Sequence, residues 1–204
     1  MRLSPLNEEF YRASAVEVAR GLLGARLVRC LNGKRLAGYI VEAEAYQGES
    51  DLACHARAGR TPRTAVMYGP PGRAYVYFVY GMHWMLNCVT GAEGDPQAVL
   101  LRAIWPVEGL EEIAARRAGV PRRAWTDGPG KLCRALAIDG RLNGASLLDG
   151  AGELYIENGQ TIPEDVILTG PRVGLDGVPE PWFSMPWRFR VDLRQWRFSS
   201  NGDL

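Results

Sequence analysis

The chain is short of the residues from which most metal and cofactor chemistry is built. Its 204 residues include only two histidines, His55 and His83, and four cysteines, Cys30, Cys54, Cys88 and Cys133, none in a C-x-x-C pair. That spacing argues against a zinc ribbon or a thioredoxin-like dithiol. The H-x-E…P-C-x-x-C pattern of a zinc deaminase is missing too. The cysteines read as reduced thiols, and neither a metal nor a cofactor is expected. No apolar run comes near the roughly 20 residues that a membrane-spanning helix requires. The opening MRLSPLNEEFYR carries charge with no apolar stretch behind it, so a cytoplasmic protein is expected. Lysine is scarce as well, with Lys34 and Lys131 the only two among 24 basic residues. The most local absence is acidic. Between Leu52 and Ala92 there is no Asp or Glu, while Arg57, Arg60, Arg63 and Arg73 all fall there. A positive field over that stretch is expected even though the net charge is only +1.

What is present predicts one α+β domain over residues 1–204, with a mainly antiparallel, curved β-sheet and flanking helices. Ser14 and Glu17 form a capping-box pattern ahead of an amphipathic helix in SAVEVARGLLG. RLVRC and LAGYIVEAEAY flank Asn32-Gly33, a dipeptide suited to the positive φ angles of a tight hairpin turn. QGESDLACHARAGRTPRTAVMYGPPG is too long for a simple connection, and long loops of this kind are often functional. RAYVYFVYG, HWMLNCVTG and AVLLRAIWPV follow as a meander of three strands. EGLEEIAARRAG and GKLCRALAI read as helices, and GELYIEN, DVILTGPRVGL and WRFRVDL as further strands. Strands without regular β-α alternation argue for α+β rather than a doubly wound sheet.

In LAGYIVEAEAY, alternation places Glu42, Glu44 and Tyr46 on one face and Val41, Ala43 and Ala45 on the other. By itself, an E-x-E in a hairpin strand reads as a solvated face. Its company changes the reading, because Tyr68, Tyr75, Tyr77, Phe78 and Tyr80 follow, interleaved with the arginines. Guanidinium groups suit phosphates and aromatic rings suit unpaired bases, so nucleic acid is the partner this mixture fits. Tyr80, just before Gly81, is predicted at the tip of a hairpin. Arg116, Arg117, Arg122 and Arg123 read as a solvated face.

IVEAEAYQGESDLACHARAGRTPR, PGRAYVYFVYGMHWMLN, AVLLRAIWPVEGLE, DGPGKLCRALAI and PRVGL resemble the alkyladenine (3-methyladenine) DNA glycosylase family. These motifs stand in the family's order, from about Ser14 to Phe198. The resemblance implies a monomeric enzyme that acts on double-stranded DNA of the chromosome. It flips a damaged purine (3-methyladenine, 7-methylguanine, hypoxanthine or ethenoadenine) out of the duplex and hydrolyses its N-glycosidic bond. It also implies roles for residues. Glu44 would be the general base on a water, and Arg102 would help hold both. Tyr46 and Tyr77 would sandwich the base, His55 would line the pocket, and Asn87 would crowd the amino group of a normal guanine. Tyr80 would enter the base stack, with Met82 beside it at the DNA. Apart from the resemblance, Arg60 and Arg63 in GRTPR read as DNA-backbone contacts or as solvent-exposed loop arginines, and Lys131 in GPGKL as a phosphate contact or a cap on local structure. The connection CVTGAEGDPQAVLL, between Asn87 and Arg102, is slightly longer than the family pattern.

The chemistry suits these roles. An extruded base needs aromatic walls, and an oxocarbenium-like sugar needs a nearby carboxylate that can also activate water. With so few lysines, a water nucleophile is expected rather than an amine that forms a Schiff base. Two other readings stand beside this one: a non-catalytic nucleic-acid binding module built on the Arg/Tyr region, and a small-substrate nucleoside or glycoside hydrolase using Glu42 and Glu44.

Overall fold

The Asn32–Gly33 turn is formed as its sequence demands, with φ of 52° and 74°. It joins β1 (Arg26–Leu31) to β2 (Lys34–Tyr46), the strand around which the molecule is assembled. The structure, a computed structural model, describes residues 3–198; both ends of the expected 1–204 domain lie outside the described residues. Preceding the hairpin are α1 (Glu8–Arg12), capped by the Asn7 side chain, and α2 (Ala15–Gly21). The capping box at α2 is complete, Ser14 and Glu17 each accepting from the other's backbone N–H. The helix α1 was not anticipated, although Asn7 followed by two glutamates is a start signal.

The three aromatic and apolar segments form the expected meander: β3 (Ala74–Val79), β4 (His83–Thr90) and β5 (Gln97–Glu108). Then α3 (Leu110–Arg116) and α4 (Pro129–Ala135) precede β6 (Leu154–Glu157), β7 (Ile167–Gly170) and β8 (Arg188–Val191). All pairings are antiparallel, in the order β3-β4-β5-β2-β1-β6. Strand β8 pairs with β7 and, through Glu42, Ala43 and Glu44, with the far half of β2. The sheet is curled, as the sequence predicted. Part of the reason lies in the β2–β5 ladder, where Val41 is an extra residue on β2 and Arg102 an extra one on β5. Such bulges bend a strand and re-aim its side chains.

Two sequence expectations need correction. The strand read from DVILTGPRVGL stops at Gly170 because Pro171 has no N–H for the ladder, and residues 171–175 continue as a loop. Arg116, at the end of α3, and the arginines that follow it are not one solvated face. Arg117 is buried, with its guanidinium on the carbonyl of Ala124, and Arg116 reaches the carbonyls of Glu112 and Ala135.

The two faces of the sheet are packed differently. Ala43, Ala45, Leu86, Cys88, Val99 and Leu101 point into the main core, which includes Leu22 of the α2 end and Leu132 of α4. Tyr75, Val89 and Ala98 point the other way, into a separate small cluster with Cys54, Ala56 and Met67 from the long loop after β2. That loop contains three short 3-10 turns, at Gly48–Ser50, His55–Ala58 and Ala65–Tyr68. It supplies the cover over this face of the sheet.

Candidate active site

Strand register creates one wall of a site. Tyr75, Asn87, Leu100, Glu44 and Arg188 are cross-strand neighbours in a single row. Members of such a row project from the same face. Two residues along each strand lie Tyr77, Met85 and Glu42 on one side, and Val89, Ala98 and Tyr46 on the other. The opposite walls come from the loop at Cys54 and His55 and from the segment Val173–Leu175. Between them is a cavity of about 320 Å³, within the ~300–1,000 Å³ usual for small-molecule sites.

Glu44 is fully buried, contrary to the solvated face that an E-x-E motif suggests by itself. Its Oε1 accepts from the backbone N–H of Val173 at 2.8 Å and its Oε2 from the hydroxyl of Tyr46 at 3.0 Å. Arg102 Nη1 stands 3.3 Å away. Glu44 itself lies just behind the cavity wall, while its three partners Tyr46, Arg102 and Val173 line the cavity. Burial raises the carboxyl pKa, and Arg102, the Val173 N–H and the Tyr46 hydroxyl pull it back only in part. Glu42 is held differently, its Oε1 accepting from Arg102 Nε at 2.8 Å and from Arg188 Nε at 2.7 Å. Arg102 thus bridges the two acids. Burial opposes its charge, but Glu44 and Glu42 outweigh burial and its pKa rises. The bulge at Arg102 is what aims a strand residue at both.

The aromatic residues are tied together. Tyr46 and Tyr77 both line the cavity, as do Asn87 and His55. Asn87 is buried and pinned by its Nδ2, which donates to the carbonyl of Tyr75 at 3.0 Å. His55 sits at the exposed rim, edge-on to Tyr77 with ring centroids 4.6 Å apart, its Nδ1 3.0 Å from the hydroxyl of Tyr75. Desolvation of the imidazole, then the Arg63 and Arg57 guanidiniums, push its pKa down to about 4. A neutral imidazole results, with Nε2 left for a ligand. Outside the cavity, the Arg63 guanidinium lies 5.0 Å from the Tyr77 ring centroid and that of Arg60 5.9 Å from Tyr68.

Tyr80 occupies the β3–β4 turn with φ of 55° and is 80% exposed, beside the exposed Met82. The tip of this hairpin stands clear of the sheet, with Tyr80 also reaching the cavity mouth. Lys131 does not join the cavity. It lies on the surface of α4, its Nζ 2.8 Å from Asp127. Three groups had no assigned role in the sequence reading: Tyr75, the Val173 amide and the Arg172–Asp51 pair. Tyr75 was legible as the face-mate of Tyr77; the other two depend on where residues 171–175 fall, which periodicity does not encode. Among the described residues no group of three His, Cys, Asp or Glu side chains is placed to hold a metal ion. No described helix is long and apolar enough to cross a membrane.

The family model for methylpurine-DNA glycosylase matches residues 9–195. The chain belongs to that family. A protein of Chlorobaculum parvum, named "Putative 3-methyladenine DNA glycosylase", is 47% identical over 185 residues, covering 90% of this chain and 85% of the relative. Relatives of the same name from Myxococcus xanthus and Carboxydothermus hydrogenoformans are 48% and 46% identical, covering 91% and 90% of this chain and 89% and 93% of their own. As a methylpurine-DNA glycosylase family member, the chain falls among the hydrolases of N-glycosyl bonds. The cavity and the buried Glu44 are therefore sited in a fold whose family acts on DNA.

Proposed function

We propose that the protein removes alkylated purines from double-stranded DNA by flipping the damaged nucleotide into the cavity and hydrolysing its glycosidic bond with a water activated by Glu44. The observation that carries this is the setting of Glu44: a fully buried carboxyl, gripped by three donors that themselves line a tyrosine-walled cavity. Its raised pKa gives it more basicity than a free carboxylate. Arg102 favours its ionised form and orients it, so the carboxylate both withdraws a proton from water and faces the positive charge that develops on the sugar.

Tyr46 and Tyr77 supply the stacking surfaces for the extruded base, and neutral His55 offers Nε2 to its edge. Pinned Asn87 cannot swing aside, and it opposes the exocyclic amino group of an undamaged guanine. Tyr80, at an exposed tip with Met82 beside it, fills the gap left in the base stack. Exposed Arg60 and Arg63 meet the phosphates, and Lys131, freed from Asp127, joins them. Lys34 pairs with Glu112 and Lys131 with Asp127, and neither lines the cavity. Water is thus the nucleophile, and borohydride would trap no protein–DNA adduct. Glu42 is engaged as an acceptor by two arginines, which leaves it unsuited to protonate a leaving base. Purines already cationic through N3 or N7 alkylation leave without that proton and are the favoured substrates. Hypoxanthine and ethenoadenine are released more slowly. The protein acts as a cytoplasmic monomer on the chromosome.

The test is an alkaline-cleavage assay on duplexes that each contain one defined lesion. Wild-type protein is expected to release 3-methyladenine and 7-methylguanine. Glu44→Gln is expected to bind the same duplexes and to release base ~10²–10⁴-fold more slowly, the span typical of general base loss. Unchanged release by the variant would overturn the assignment of Glu44.

A further inference from the structure

One charged pair in the described structure is wholly buried and outside the cavity lining. Arg172 and Asp51 are both fully buried and form an ion pair. Asp51 anchors the start of the loop after β2: its two oxygens accept from the backbone N–H groups of Gln47 at 3.1 Å and Ala53 at 3.0 Å, and from Arg172 Nη2 at 3.0 Å. The same guanidinium donates from Nη1 to the carbonyl of Ala45 at 2.9 Å, and from Nη2 to that of Trp182 at 3.1 Å. Its carbon lies 4.7 Å from the Tyr46 ring centroid and 5.0 Å from that of Trp187. Ala45 is the residue between Glu44 and Tyr46, and the residue after Arg172 is Val173, whose N–H holds Glu44. One side chain therefore ties together the strand that bears Glu44, a wall of the cavity, and the amide that orients the carboxylate.

We propose that Arg172, neutralised by Asp51, is a positioning residue that fixes the Glu44 carboxylate against the cavity by clamping Ala45, Tyr46 and Val173 in one register. A buried ion pair is weak evidence of stabilisation, because desolvation offsets most of its attraction. Its value here is geometric: the planar fork satisfies three carbonyl or carboxylate partners in fixed directions, which a lysine ammonium cannot reproduce. The inference rests on Glu44 as the base. The groups around Glu44 are Arg102 on β5, Glu42 and Tyr46 on its own strand, Arg188 on β8, Tyr77 on β3 and the Val173 amide. Arg172 reaches it through the last of these and through Tyr46.

The experiment compares Arg172→Lys, the double variant Arg172→Gln/Asp51→Asn, and Glu44→Gln on a duplex carrying one alkylated purine. The double variant removes both charges together, so no unpaired buried charge obstructs folding. Single-turnover rates, duplex affinity and the pH dependence of the rate are read on protein shown by melting to be folded. In both Arg172 variants, affinity is expected to stay close to wild type. The rate should fall on the order of 100-fold, as a displacement of about 1 Å costs. The acid limb of the pH profile should move to higher pH, because loosening the Val173 amide removes a donor to the ionised carboxylate. Wild-type rate and an unmoved limb in the folded Arg172 variants, with Glu44→Gln inactive, would reduce the pair to a structural tie and overturn the proposal. An active Glu44→Gln would instead overturn the assignment of the base itself.

Discussion

Two clusters of arginine and glutamate hold opposite ends of the β2–β5 ladder. At the hairpin end, Arg26 and Arg35 both pair with Glu108 and with Glu157, and Arg35 also bonds the Tyr155 hydroxyl. Two cations meet two anions there, and none of the four lines the cavity. At the other end, Arg102 lies between Glu42 and Glu44, with Arg188 on Glu42. The charges balance there as well, yet Glu44 is fully buried and its donors open onto a cavity. Burial and pairing of a carboxylate are therefore no sign of chemistry alone. The difference is the void beside one of them, and that Glu44 pairs with one guanidinium, at 3.3 Å, where Glu108 and Glu157 each pair with two. That carboxylate keeps capacity for a further partner.

Substituting one glutamate at each end separates the two roles. Glu44→Gln should abolish most base release while leaving the fold intact. Glu157→Gln should do the reverse. It leaves Arg26 and Arg35 short of a buried partner, at a cost of roughly 3 kcal/mol, which a urea melt would register as a lower midpoint. Its rate per folded molecule should equal wild type. A rate loss comparable to that of Glu44→Gln would show that the two ends communicate and would break the contrast.

Within the cavity end, Glu42 tests whether the acids form one unit. Glu42→Gln should release Arg102 Nε and Arg188 from their shared acceptor, and should lower the single-turnover rate by about tenfold, as changes to supporting groups around a site do. Equal losses for Glu42→Gln and Glu44→Gln would mean that the carboxylates act jointly.

Much of this contrast was legible in residue order. The hairpin turn, the capping box, the meander and the shared face of Glu42, Glu44 and Tyr46 follow from local rules of period and turn chemistry. So does the protruding tip at Tyr80, because the alternating set Val76, Phe78 and Tyr80 runs from core to solvent as β3 leaves the sheet. Burial of Glu44 was not legible, since the cover over it comes from residues 47–72 and 171–175, whose paths are set by tertiary contacts. The bulge that aims Arg102 was equally hidden: one extra residue on each strand leaves no mark in either sequence alone. Arg172 and Asp51 look like any loop charges until the fold brings residues 121 positions apart into one bond.

The smallest expected effect is on stability and depends on pH. Because the Glu44 pKa is raised in the fold, folding favours its protonated form. Its contribution to stability is complete below the carboxylate's unfolded pKa and is lost as pH rises through the folded value. Glu44→Gln has no such ionisation. Its melting temperature should therefore match wild type at acid pH and exceed it at neutral pH, by a few degrees at most. The gap should open as pH rises through the range in which base release by the wild type switches on, because under the proposed mechanism one ionisation governs both. A gap that is constant with pH would mean that the Arg102 and Val173 contacts balance desolvation at Glu44, and one that closes at neutral pH would mean that they outweigh it.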